Sequence, residues 1–261
     1  MHEWVASILV GLLGGLASGL LGVSPGGILV PVAIMLLGAD QHIAQSLSLI
    51  AQIPPTSFAG LRRYWSRGSR TPIRWLVPLA GGFLMGGVAG ALLAVHLSRT
   101  VLQWTFVGYL SLLDVLLIVR ARHAYRSPGS SSHRADAIAI SSLAFALVGF
   151  IAGVSSGLMG IGGGLAITVG LGAVLKLPQH QSQAVSLVMA MIPLTLPSAL
   201  IYWQQGWAPS WIAILGVIAG LWVGTDVGAR VANAFSESLL RVLMIGLVAA
   251  MAIYMAYRAL E

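Results

Sequence analysis

The sequence predicts an all-α polytopic membrane protein made of two inverted repeats, each carrying a Gly-rich broken or re-entrant helix. Three observations predict it: the composition, an internal duplication and the uneven placement of arginine. Of 261 residues, 57% are hydrophobic and 8% charged, whereas soluble domains carry about 25% charged residues. Several segments reach the roughly 18 apolar residues that span a bilayer core. Such a chain belongs in a membrane.

Sliding the sequence by 138 residues sets its halves in register without a gap. Gly11, Gly15, Ser18, Gly19 and Gly22 fall on Gly149, Gly153, Ser156, Gly157 and Gly160. Gln41, His42, Gln45 and Ser48 fall on Gln179, His180, Gln183 and Ser186. Pro55 meets Pro193, Tyr64-Trp65 meets Tyr202-Trp203, and Gly82, Gly86 and Gly90 meet Gly220, Gly224 and Gly228. Transmembrane repeats are therefore expected at 1–120 and 138–261, joined by a basic linker at 121–137.

Arginine gives the sidedness. The loop RRYWSRGSR (62–70) is strongly basic, while its counterpart QQGWAPS (204–210) has no cation. Arginine and lysine mark short cytoplasmic loops, so the first loop is expected inside and the second outside. The linker RARHAYRSPGSSSHR (120–134) is expected inside as well. Equivalent loops on opposite faces define inverted repeats, a common transporter plan. The same placement accounts for the net charge of +7, and no nucleic-acid partner is expected. The N-terminal MHEWVASILV lacks a basic n-region, so the first apolar segment is expected to be retained in the membrane.

Eight apolar blocks follow in order: 4–38, 42–61, 73–95 and 100–119, then 138–177, 180–201, 210–232 and 239–257. The first block of each half is too long for one straight crossing at about 1.5 Å per residue. Each contains a break, GLLGVSPGGILVP at 19–31 and GLMGIGGGLAITV at 157–169. Gly costs roughly 1 kcal/mol and Pro roughly 3 kcal/mol in a helix interior. Broken backbone survives at membrane depth only where protein buries it or a cavity receives it. A half-helix restarting after each break offers free N–H groups at the positive end of its dipole. Two such starts facing each other would suit an anion.

The candidate substrate-binding residues are therefore Ser24, Pro25, Gly26 and Gly27 in the first break and Gly162, Gly163 and Gly164 in the second. His42 and Gln45, with their counterparts His180 and Gln183, share helix faces just beyond the breaks and can donate to an anion. The plainer reading makes each histidine a cap or an interfacial residue. Ser48, Ser186, Asp114, Asp226 and Arg230 are candidates for coupling or for structure, with Asp226 and Arg230 spaced as an ion pair. Lys176 can snorkel or attract anions. The stripes Gly11/Gly15/Gly19 and Gly82/Gly86/Gly90 suit close helix packing, either internally or in a homodimer.

No catalytic residue, metal site or cofactor is expected. There is no cysteine, HExxH motif or P-loop. Ser18 in LASGL resembles an intramembrane nucleophile, but its duplication as Ser156 in small-residue surroundings reads as packing.

The paired stretches GLASGLLGVSPGGILVP with QHIAQSLSLI, and GVSSGLMGIGGGL with QHQSQAVSLV, resemble the TauE/SafE sulfite exporter family over essentially the whole chain. The resemblance implies a multi-pass protein of the cytoplasmic (inner) cell membrane, in contact with lipid. It implies export of sulfite, sulfoacetate or related small anions, with the breaks on the substrate path. Ser24-Pro25 stands where the family has two glycines. The expected function is a secondary transporter working by alternating access, proton-coupled through histidine or passive. The alternative is a channel or transporter for a different small solute or a cation.

Overall fold

The computed structural model describes residues 2–21, 24–55, 72–126, 141–177, 179–231 and 237–260. All regular structure among them is helical. In the first half these are α1 (His2–Leu21), α2 (Gly26–Leu37), α3 (Gln41–Ala51), α4 (Ile73–His96) and α5 (Arg99–Arg126). In the second they are α6 (Ser142–Met159), α7 (Gly164–Ala173), α8 (Gln179–Met189), α9 (Leu196–Gln204), α10 (Trp211–Val231) and α11 (Glu237–Leu260). His2–Leu20, Ile73–His96, Ser142–Met159 and Trp211–Val231 are long and apolar enough to cross a membrane. Large apolar side chains such as Met85, Ile151, Trp222 and Ile253 point outward from these and neighbouring helices, as lipid contact requires.

Both long first blocks are two helices separated by a break, as the glycines predict. The second block of the second half differs from the expected single run over 180–201. It ends at Met189, turns through 190–195 and restarts at Leu196. Pro193 supplies the reason, since it lacks an N–H and biases Ile192 away from the helical region. Pro197 then sits in the first turn of α9, where a missing N–H costs nothing. Helix α5 runs on to Arg126, into the stretch expected as linker. The basic loop 62–70 lies outside the described residues.

The principal packing exchanges partners between the halves. Helix α1 lies along α10, and α4 along α6. Gly11, Gly15 and Gly19 face the carbonyls of Val217, Leu221 and Thr225, while Gly220, Gly224 and Gly228 face those of Ile8, Leu12 and Leu16. Residue numbers rise together, so α1 and α10 are parallel. In α4 and α6, Gly82, Gly86 and Gly90 face Ala146, Phe150 and Val154, and Gly149, Gly153 and Gly157 face Leu79, Phe83 and Gly87. That pair is parallel too. A Cβ on Gly15 would lie 2.5 Å from Leu221 O, and one on Gly86 2.1 Å from Phe150 O. Only a bare Cα permits such approach, which brings Cα–H groups against carbonyls. These faces are thus filled inside the chain.

One end of the molecule gathers several termini. Ser210, just before α10, donates to Glu3 in the first turn of α1. The ring of His42 stacks on Trp207 with centroids 3.9 Å apart, and its Nε2 lies 3.3 Å from Ala94 O near the C-terminus of α4. At the start of α5, Arg99 pairs with Asp40 at the tip between α2 and α3. The C-terminus of α4 therefore lies beside the N-termini of α1 and α10. The α4/α6 pair runs opposite to the α1/α10 pair.

Two main apolar cores flank the breaks. One joins Val10, Leu29, Val30, Phe106 and Leu221. The other joins Leu79, Phe83, Phe145, Ile167 and Leu171.

Candidate functional site

The two breaks touch each other. A Cβ on Gly26 would lie 2.4 Å from Ile161 O, and one on Gly164 would lie 2.6 Å from Ser24 Cβ. The second break takes left-handed backbone at Gly160 (φ 72°), Gly162 (φ 71°) and Gly163 (φ 70°), a region where a Cβ is penalised. The first break is built differently. Pro25 has φ −68°, and its carbonyl accepts from Ile28 N and Leu29 N at 3.0 and 2.9 Å. No left-handed residue is needed at Ser24 or Pro25, so the chain departs from glycine there without strain.

At this meeting point lies a cavity of about 30 Å³, room for roughly two or three water-sized groups. Of the expected site residues, Ser24, Pro25, Gly162 and Gly164 line it, as does Ser186. Gly26 and Gly27 form the first turn of α2 just behind Pro25, and Gly163 caps α7 against the Phe83 ring. Gln52, Phe83 and Thr195 also line the cavity, and the sequence reading did not single them out. Gln52 had a usable signal, since it continues a helical polar row through Gln41, Gln45 and Ser48. Thr195 had none beyond its nearness to Pro193.

Hydrogen bonds tie the cavity wall together. Gln52 Nε2 donates to Ser48 O at 2.9 Å and to Ser48 Oγ at 3.0 Å. Ser48 Oγ donates to Gly160 O at 2.6 Å. Ser24 Oγ lies 2.7 Å from Gln52 Oε1 and 3.1 Å from Ile161 O. Ser186 Oγ donates to Gly164 O at 2.9 Å, and Thr195 Oγ1 to Leu49 O at 3.1 Å. Three serines and a threonine, from different elements, thus reach backbone carbonyls, of which those of Gly160 and Ile161 lie in the second break and that of Leu49 in the last turn of α3.

His42 and Gln45 do not line the cavity. Ten residues of α3 separate His42 from Gln52, about 15 Å of helix. Gln45 is fully buried and meets the Tyr202 hydroxyl at 3.0 Å. That phenol also lies 3.0 Å from Gly157 O. Its one hydrogen goes to the carbonyl, and a Gln45 amide turned to present Nε2 gives the phenol oxygen a donor. Above them the His42, Tyr202 and Trp207 rings pack together. Gln41 is buried with neither amide atom bonded. Gln41, Gln45, Ser48 and Gln52 therefore form a polar row down one face of α3, from the cluster of termini to the cavity.

The backbone of His180 and Gln183 lies in α8, and their side chains lie outside the described positions. Asp226 pairs with Arg230 on the exposed side of α10. Asp114 sits on α5 with Oδ1 buried and unbonded. Lys176, at φ 53°, is exposed between α7 and α8. None of Asp114, Lys176, Asp226 and Arg230 lines the cavity.

A family model described as sulfite exporter TauE/SafE matches residues 6–255. A Bacillus subtilis (strain 168) protein named "Probable membrane transporter protein YdhB" is 27% identical over 240 residues, covering 90% of this chain and 92% of that protein.

Proposed function

From the premise that the chain belongs to the TauE/SafE sulfite exporter family, we propose that it is a secondary transporter moving a small sulfur oxyanion, of which sulfite is the simplest, across the cytoplasmic membrane by alternating access. The observation that carries this reading is the cavity at the crossing of two broken segments. Irregular backbone at membrane depth is tolerated where protein buries it or where it lines a polar cavity. Here that space is bounded by Ser24, Gln52, Ser186 and Thr195 and by the first turn of α7. Its size suits an anion of a few heavy atoms better than an organosulfonate such as sulfoacetate.

The route to one membrane face follows the polar row of α3. It is closed at Gln45–Tyr202 and again at His42–Trp207. In the sequence the equivalent residues are Gln179, His180 and Gln183, on the same helix α8 as Ser186. The inverted repeat is supported by the directions of the helices: α1 and α6 correspond by the 138-residue shift yet run opposite ways, as do α4 and α10. The starts of α4 and α6 follow the two basic segments, so that end is cytoplasmic by the positive-inside rule. Rocking the α1/α10 pair against the α4/α6 pair would then open the cavity to the two faces in turn.

Purified protein in proteoliposomes, offered radiolabelled sulfite, sulfate, sulfoacetate, taurine or acetate, tests the reading. Sulfite uptake well above protein-free vesicles is expected, with sulfoacetate slower. Movement of another solute in the panel without sulfite would overturn it.

A further inference from the structure

We infer that the cavity takes its oxyanion in a singly protonated form, so that the substrate, resting on the reading above, is hydrogen sulfite rather than the sulfite dianion or a sulfonate. The argument is a count of hydrogens. Carbonyl oxygens only accept, which fixes the direction of each bond in the wall. Gln52 Nε2 must point to Ser48 O, so both of its hydrogens are committed to Ser48. Its Oε1 therefore faces Ser24, whose single hydrogen goes to that oxygen or to Ile161 O. The hydrogen of Ser186 goes to Gly164 O, and that of Thr195 to Leu49 O.

Every side-chain hydroxyl and amide hydrogen that lines the cavity among the described residues is thus engaged with the protein. The side-chain oxygens Ser24 Oγ, Gln52 Oε1, Ser186 Oγ and Thr195 Oγ1 offer lone pairs only. A fully ionised oxyanion brings lone pairs as well, and pressing it against these oxygens sets acceptor against acceptor, with those of Ser186 and Thr195 buried. An oxyanion that keeps one O–H supplies the missing donor, while its charge can lie toward the start of α7 at Gly164. The discrimination is steep because unpaired buried polar groups are costly, whereas a lost neutral contact is not. No Asp, Glu, His, Lys or Arg lines the cavity among the described residues. The proton travels on the substrate.

Initial uptake of radiolabelled sulfite into proteoliposomes, with equal pH inside and out, provides the test. At fixed, subsaturating total sulfite, the rate should fall about tenfold per pH unit once the dianion predominates. At fixed hydrogen sulfite, with total sulfite raised to match, the rate should stay constant across the same series. Excess nitrate, an oxyanion of similar size that carries no proton, should not compete. Ser186→Ala, which deletes one lone-pair acceptor, should weaken half-saturation by about tenfold in hydrogen sulfite terms. A rate that follows the dianion or total sulfite, or strong competition by nitrate, overturns the inference while leaving sulfite transport standing. If sulfite does not move at any pH while another anion in the panel does, both readings fall together.

Discussion

Gly162 meets two demands at once. Its φ of 71° lies where a Cβ costs roughly 1–2 kcal/mol, and that Cβ would lie 1.8 Å from Gln52 Oε1. Gly162→Ala should therefore destabilise the protein by about 2 kcal/mol or more, read as a lower melting temperature in detergent. Part of that loss comes from displacing the Gln52 amide. The double variant Gly162→Ala/Gln52→Ala should consequently be more stable than the sum of the single changes by about 1 kcal/mol. Strict additivity would mean that Gln52 does not lean on the break. His42 makes a complementary case. The sequence places it among anion donors, whereas its ring lies against Trp207 and Ala94 O. His42→Ala should leave equilibrium sulfite binding within about twofold while changing the transport rate. A tenfold loss of affinity would put the imidazole on the anion itself. The repeating QH..Q pattern could not reveal this difference, because sequence spacing gives a shared helix face but not which neighbour covers it.

Among the helices, the glycine stripes separate into those that face backbone and those that face open space. Gly224 opposes Leu12 O, where a Cβ would lie 2.4 Å away. Gly224→Val must push α1 and α10 apart along their length, at a cost of about 3 kcal/mol or more. Gly246 in α11 has nothing within 4 Å of a Cβ, so Gly246→Ala should be neutral or gain up to about 1 kcal/mol from helix propensity. Equal melting shifts for the two variants would show that the close approach of α1 and α10 is not what these glycines serve. The four-residue spacing made these stripes legible as packing faces, although whether they served one chain or two was not. The long first blocks were legible as broken because Pro25 and three consecutive glycines exceed what packing needs. The break between α8 and α9 was not, since Pro193 sits in a run whose hydropathy never drops, and apolar continuity hides a turn buried in protein. That hidden turn brings Thr195 to the cavity, which is why this part of the polar wall was not legible in the sequence.

For the whole molecule, the decisive question is which ends lie on the same side of the membrane. Glu3, Ala94, Trp207 and Ser210 belong to one end. Helices α4 and α6 start together at the other, after the segments that carry Arg67 and Arg126. Neither α2, α3, α7, α8 nor α9 exceeds 12 residues, about 18 Å at most against a core of about 30 Å. These helices can therefore cross only in pairs or turn back, and the parity of each half depends on how they combine. If each half crosses an odd number of times, equivalent loops fall on opposite faces. The sequence contains no cysteine, so single-cysteine variants can be labelled without background. In intact cells a membrane-impermeant maleimide should modify Gln205→Cys and leave Arg67→Cys and Ser141→Cys untouched until the cells are opened. Ser141 is the informative addition, because it immediately precedes α6 and is exposed. Labelling of Gln205→Cys and Arg67→Cys from the same side would make the repeats parallel. Alternation between the two faces by inverted halves would then lose its structural basis.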